Sequence, residues 1–455
     1  MHKLIGFWKL HWIAALFTIG SLICYTEFAY DLNRSDSLKL IGLLAALSLF
    51  FIKIIQFEKL NFTFLAIVGI LFRLVFLLAT PNLSPDYFRF LWDGNLVLLG
   101  HNPYISTPLE WSAQTQGLFP AAQELLSGMS ELNAQHYSNY PPINQYFFAL
   151  AVLVGGKTVI GGVIGIRLLL LLADLGILYL GKKLLQRYAK STHLIFWYFL
   201  NPMIIIELIG NLHFEGLMLL FLVLSLFLIH RGQWWFGALF MALSIGTKLI
   251  PLMLLPLILP LLGFYRTAGF YAVLGVCLIG FSYPLLHSDG VIHFLDTVRL
   301  WFSNFEFNAG IYNIAEGIAN ALGVKSWKFI RLYGAVTPWI TLVGALLLTL
   351  HPKMREPRNW MNGALGVFTI YYLLAAVLHP WYLSVPLFLS LFTPWRFMLW
   401  WAVLGMLSYT AYEDPYVHEK SLWLLIEYIA VFGILVYEIF KLKRHIVVHP
   451  KKFSI

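Results

Sequence analysis

The chain has 455 residues, of which 60% are hydrophobic, 17% aromatic and only 12% charged, with a mean hydropathy of +0.76. That composition leaves too little polar surface to cover a soluble globule of this size, so a polytopic membrane protein is expected. The net charge of +9 is scattered over short connections and the C-terminal tail, with no basic face and no nucleic-acid-binding motif; it reads as a topology signal and excludes a nucleic-acid partner.

Lys3 and Lys9 precede an apolar stretch in the manner of a signal peptide. No small-x-small cleavage site follows, and Ser21-Leu22-Ile23-Cys24 is a poor lipobox, so the stretch reads as a retained first span. Cys24 and Cys277 lie in different apolar runs, without metal-ligand spacing or a disulfide framework. The triplets at Asn33, Asn61 and Asn82 match a glycosylation acceptor that matters only in a eukaryotic secretory pathway. Apolar runs suited to crossing about 30 Å of hydrocarbon fall at 4–24, 38–56, 61–80, 160–181, 193–210, 214–230, 234–247, 249–263, 267–287, 327–350, 360–378, 380–393, 396–412 and 421–441. Two long polar connections, 81–140 and 288–326, interrupt them, and no internal repeat is visible.

The first connection opens with Pro85-Asp86-Tyr87-Phe88-Arg89-Phe90-Leu91-Trp92-Asp93-Gly94, followed by Gly100-His101-Asn102-Pro103-Tyr104. Ser84 as N-cap, Pro85 as first helical residue and Gly100 as C-terminal stop predict a helix. On it Asp86, Arg89, Phe90 and Asp93 share a face. At about 1.5 Å per residue the two carboxylates lie roughly 10 Å apart, too far to serve one atom. They therefore need separate roles.

Lys182, Lys183, Arg187 and Lys190, then Lys353, Arg355 and Arg358, then the tail with Lys441, Lys443, Arg444, Lys451 and Lys452, mark the cytoplasmic side. Residues 81–140, with Asp86, Asp93, Glu110, Glu124 and Glu131 against Arg89 alone, fall on the opposite side. Both assignments hold only if the apolar segment from Tyr140 to Gly155 does not cross, which predicts an interfacial helix opened by Tyr140-Pro141-Pro142. Asn211, His213 and Glu215, then Lys248, then His379-Pro380-Trp381-Tyr382, and the loop with Glu306 and Asn308 then converge on the outer side. Ionisable groups at membrane depth are costly and line cavities or pathways. A single outward-facing polar pocket is the expectation.

These residues carry a family resemblance. Asp86-x-x-Arg89-x-x-Trp92-Asp93-Gly94, Gly100-x-Asn102-Pro103-Tyr104, Tyr140-Pro141-Pro142, Asn201-Pro202, Asn211-x-His213-x-x-Gly216-Leu217-Met218, Lys248-Leu249-Ile250-Pro251 and His379-Pro380-Trp381-Tyr382 resemble the GT-C superfamily of integral-membrane glycosyltransferases, in family order. The nearest branch is the bacterial polyprenyl-phosphate-mannose-dependent mannosyltransferases. The resemblance implies an all-α bundle of about 11–14 transmembrane helices with interfacial helices in the first large outer loop. It also implies inverting transfer of a hexose, mannose by this branch, from a polyprenyl-phosphate donor to a lipid-linked or glycan acceptor at the outer face of a bacterial inner membrane. The chain departs from the pattern by placing two spans ahead of the one that leads into the loop, and by Asn211-Leu212-His213-Phe214-Glu215 in place of an Asn-x-His-Asn-Asp type of sequence.

One membrane domain of 1–455 is expected, comprising N-terminal spans 1–80, an outer catalytic loop 81–159, a helical bundle 160–441 and a cytoplasmic tail 442–455. A carboxylate must take the acceptor hydroxyl's proton, and Asp86 matches the family's base position; a first-turn acid favoured by the helix dipole is the bland alternative. Asp93 is either an ion-pair partner of Arg89 or an acceptor ligand, and Arg89 either orients Asp86 or meets phosphate. Leaving-group charge calls for a desolvated cation, with Lys248 a candidate against a snorkelling lysine. His379 is set for phosphate or a sugar hydroxyl, or for an interfacial aromatic belt with Trp381 and Tyr382. Asn211, His213 and Glu215 read as substrate ligands, Glu306 and Asn308 as a cover, and Asn102, Tyr104 and Tyr140 as ligands or turn residues. No cofactor is indicated and a divalent metal stays open. A transporter or flippase of a lipid-linked saccharide is the first rival reading, and a phosphate-group or polysaccharide-polymerising transferase on a related scaffold the second.

Overall fold

The computed structural model of the protein describes residues 2–114, 117–414 and 417–448. Lys451 and Lys452 of the expected tail lie outside the described residues, as do the side chains of Lys3, Lys9, Lys443 and Arg444. Helices make up the fold, and the β pairing among the described residues is one isolated parallel bridge between Phe307 and Val377.

Polar caps decide where the first helices begin. Helix α1 (His2–Tyr30) turns into α2 (Ser37–Glu58), which Asp36 caps by accepting the Lys39 N–H at 3.0 Å. Asn61 does the same for α3 (Phe62–Val75) through Phe64 N–H at 3.2 Å. Helix α4 (Asp86–Leu98) starts one residue later than the capping signals predict: Pro85 takes the cap position, and Ser84 Oγ accepts the Asp86 N–H at 3.3 Å. It stops as expected, with Gly100 at φ +79° and His101 N–H returning to Leu96 O at 2.9 Å.

Short helices α5 (Pro108–Gln114), α6 (Ala122–Gly128) and α7 (Glu131–Gln135) follow. Helix α8 (Pro142–Gly155) has Pro142 in its first turn and ends at Gly156, φ +84°. Its 14 residues span about 21 Å, too short to cross about 30 Å of hydrocarbon. Helix α9 (Val159–Arg187) is long enough to cross.

Among the described residues six helices are long and apolar enough to cross a membrane: 11–30, 37–58, 159–187, 264–281, 326–350 and 421–442. A pair bent by 55°, Thr192–Phe199 with Pro202–Gly210, makes seven if counted as one span. Most of the other expected spans between 62 and 412 form shorter apolar helices, among them Phe62–Val75, Glu215–His230, Trp234–Thr247, Ile250–Leu262 and Phe397–Tyr412. One continuous buried cluster runs from Tyr25 to Val431 and joins all of them. The second long connection is more ordered than its polarity suggests, with amphipathic helices Gly290–Ser303 and Gly310–Ala321.

Two buried arginines tie α9 to its neighbours, and the second of them holds unwound backbone. Arg73 of α3 pairs with Asp174 of α9, its Nε donating at 2.7 Å. Arg167 of α9 donates to the carbonyls of Ile209 at 2.9 Å, Gly210 at 3.1 Å and Leu77 at 3.0 Å. Carbonyls released from a broken helix need such donors where no water reaches them.

Candidate active site

Helix α4 delivers Asp86 from its first turn, where the unpaired N–H groups favour a carboxylate. Asp86 is half-buried, so one side of it stays reachable. Burial pushes its carboxyl above the ordinary 3.8, Glu215 adding to that rise while Lys248 and Arg34 oppose it. A carboxylate of raised basicity that still meets solvent is suited to accepting a proton.

Lys248 reaches the site because the helix Trp234–Thr247 ends just before it, leaving Lys248 in extended conformation, φ −145°. Its Nζ lies 3.1 Å from Glu215 Oε1 and 5.1 Å from the Tyr140 ring centroid. Glu215 is fully buried at the start of the helix Glu215–His230. The pair is held by charge and proximity, without hydrogen-bond alignment.

The segment before Glu215 is irregular. A π-turn, Ile205–Gly210, leads into Asn211, and Leu212 adopts φ +66°, a conformation costly for a branched-chain residue. The turn points His213 at Glu207, with Nε2 to Oε2 at 3.4 Å, while Tyr409 donates to the same Glu207 oxygen at 3.0 Å. Asn211 Oδ1 accepts the Leu83 N–H at 3.4 Å, tying this turn to the strand of chain ahead of Asp86.

Helix Pro357–Leu374 ends before His379, and Phe307 lines up along Ala376 and Leu378: its N–H donates to Ala376 O at 2.9 Å, and its carbonyl accepts Leu378 N–H at 2.8 Å. That pairing puts the Phe307 ring 4.8 Å from His379. Trp381 stacks on two imidazoles, with centroids 3.6 Å from His213 and 4.3 Å from His379. Burial lowers His213 well below the usual imidazole range and His379 to about 3, Lys248 adding to both, so the two rings are neutral at physiological pH. Tyr382 lies edge-on to His379, with centroids 5.5 Å apart.

Asp86, Asn211, His213, Glu215, Lys248, Tyr140, His379 and Tyr382 thus come together. Arg89 and Asp93 sit in a closed network instead: Arg89 Nε donates to Asp93 at 2.7 Å, and Asp93 accepts from Ser138 at 2.7 Å and Gln145 at 3.0 Å. Arg89 also donates to the carbonyls of Asn133 at 2.6 Å and His136 at 2.9 Å. Both side chains are buried, and together they lock α4 to the chain leading into α8. Asn102 donates to Pro284 O at 2.7 Å, and Tyr104 to Tyr140 O at 2.6 Å, so both brace the connection. Asn308 is buried with φ +51°, its Nδ2 3.2 Å from Glu427 Oε1 and its N–H on Glu419, while Glu306 is exposed.

Sequence reasoning passed over Glu207, Tyr409 and Arg34. Glu207 is an acid inside an apolar run, a signal that was there to be read. Arg34 sits in a short polar turn that carries no such signal. Among the described residues no group of three or more His, Cys, Asp or Glu side chains has the geometry to hold a metal ion. A cavity of about 390 Å³ between the helices Gly290–Ser303 and Ser326–Leu350, lined by Asp296, Arg299 and Arg331 among others, includes none of the site residues.

The fold defines an all-α polytopic membrane protein, with acids, cations and histidines converging where several helices are broken. Comparison adds a resemblance: a family model described as alpha-(1->6)-mannopyranosyltransferase, N-terminal domain, matches residues 38–263. Two relatives from Corynebacterium glutamicum match as well. Alpha-(1->6)-mannopyranosyltransferase B is 28% identical over 34% of this chain and 25% of its own length, and alpha-(1->6)-mannopyranosyltransferase A is 24% identical over 43% and 38%. The matches thus span about a quarter to two fifths of those relatives. No solved structure matches. The resemblance to mannosyltransferases holds over the segment that contains Asp86, Glu207, His213, Glu215 and Lys248.

Proposed function

We propose that the protein is a GT-C-type inverting glycosyltransferase that moves mannose from a polyprenyl-phosphate carrier to a hydroxyl of a lipid-linked or glycan acceptor. The observation that carries this reading is Asp86, half-buried at a helix N-terminus with Lys248 and Glu215 within electrostatic reach. In the reaction the Asp86 carboxylate takes the acceptor hydroxyl's proton as that oxygen attacks the anomeric carbon. The bond to the carrier phosphate breaks with its electron pair leaving on phosphate, where Lys248 stabilises the growing charge. Neutral His213 and His379 are placed to hydrogen-bond sugar or phosphate.

Charge distribution supports a site on the outer face. Lys182 lies 3.9 Å over the Phe62 ring at the start of α3, so the basic end of α9 gathers with Lys59 at the end of the bundle opposite Asp86. By the positive-inside rule that basic end is cytoplasmic. The broken pair around Pro202, with Glu207 buried inside it, is the one feature that favours a transporter of lipid-linked saccharide.

One experiment separates the two readings. Purified protein given polyprenyl-phosphate [³H]mannose and membrane glycolipid acceptors releases polyprenyl phosphate and labels the acceptor, and Asp86→Asn reduces that turnover by about 10²–10⁴ while inserting normally. Donor that stays intact with wild type would leave only the transport reading; turnover in Asp86→Asn above about a tenth of wild type would remove Asp86 as base.

A further inference from the structure

The cations buried near this site are almost all occupied. Arg89 is bound to Asp93, Arg73 to Asp174, Arg167 to three carbonyls and Lys248 to Glu215. Lys248 brings a positive charge whose field the buried Glu215 already offsets at 3.1 Å. A departing phosphate therefore needs a second cation that no carboxylate neutralises.

Arg34 answers that description. It lies in the turn between α1 and α2 and has no carboxylate within ion-pair distance among the described residues. Its Nε is buried and makes no hydrogen bond, and its guanidinium sits 3.4 Å over the Tyr412 ring. A chain of contacts continues from that ring into the site. Tyr412 lies 5.9 Å from Phe307, which is 4.8 Å from His379, and 6.1 Å from Tyr409, which donates to Glu207. The turn is fastened where Asp86 needs it: Asn82 Nδ2 donates to Phe28 O at 2.7 Å and Leu32 O at 3.2 Å, and Tyr30 OH to Val75 O at 2.9 Å. Arg34 is within electrostatic reach of Asp86, Glu207 and His379.

We infer that Arg34 binds the phosphate of the lipid carrier, seated on Tyr412 with its Nε unpaired, and that it and Lys248 grip the phosphate from two elements while Asp86 faces the acceptor. The role rests on the reading of the protein as a transferase with a phosphate-bearing lipid donor. A planar guanidinium suits this task because it presents paired N–H donors to phosphate oxygens and keeps its charge when desolvated. Arg34 lies outside residues 38–263, over which the family model matches.

The test measures binding of two probes, polyprenyl phosphate and the uncharged polyprenol of equal length, to full-length protein in nanodiscs. Wild type prefers the phosphate. Arg34→Gln loses about tenfold or more of that preference, the size expected for a charge-assisted hydrogen bond, while polyprenol binding is unchanged; Arg34→Lys recovers part of it. Equal preference in Arg34→Gln and wild type overturns the inference and leaves the transferase reading standing. Parallel weakening of both probes also overturns it, because that marks a packing role at Tyr412. A wild type with no preference for phosphate removes the lipid-phosphate donor and Arg34's role together.

Discussion

Glu215 offsets the positive charge of Lys248, and Lys248 in turn moderates the proton affinity that burial raises at Asp86. Lys248 lowers the Asp86 pKa against the rise caused by burial, so removing it lets the folded value climb further. A base works only when deprotonated. The acid limb of kcat/KM should therefore lie above the ordinary 3.8, and Lys248→Met should move it to still higher pH while lowering the plateau. An acid limb that stays put in a pH–rate profile of Lys248→Met would separate the lysine from Asp86. Lys248 and His379 were legible in the sequence as ionisable groups among apolar ones. Their partners were not: pairing with Glu215 and stacking on Trp381 join residues that the chain separates widely.

At the scale of elements, close helix crossings rather than hydropathy shape the site. Helix α4 packs against α8 at Gly94, where an added Cβ would come within 2.6 Å of Phe148 O, and α8 against α9 at Gly165, where it would meet Ala151 O at 2.1 Å. Backbone oxygens cannot rotate away. Gly165→Val should thus push α8 off α9 and destabilise the protein by about 1–3 kcal/mol or more, seen as a lower Tm in detergent; an unchanged Tm would mean that α8 is loosely held. Helix bounds over 37–58, 159–187 and 234–247 follow the apolar runs and their caps closely. The helices Gly290–Ser303 and Gly310–Ala321 escaped notice because one-sided apolarity lowers mean hydropathy, and the break near Pro202 lies inside a run that reads as continuous.

For the whole molecule, the decisive quantity is which end faces out. With Cys24 and Cys277 replaced by serine, a cysteine at exposed Ser127 should react with an impermeant thiol reagent on intact spheroplasts, and one at exposed Ser191 only after permeabilisation. Ser138, although in the same connection, is buried against Asp93 and would report burial instead of sidedness. Reversed labelling would place Asp86 in the cytoplasm and overturn the outer-face assignment.

By itself the sequence determined the membrane class and most helix positions, because hydropathy and capping are local properties that act within a few turns of chain. Only the tertiary structure decided which charges are spent and which are free. Arg89 and Asp93 share a helix face with Asp86, yet Ser138 and Gln145 close around them. Arg34, far from Asp86 along the chain, is brought over by bonds from Asn82 and a seat on Tyr412. The physical reason is that pairing of a buried charge depends on distances of a few ångströms across different helices, and no spacing along one segment encodes them.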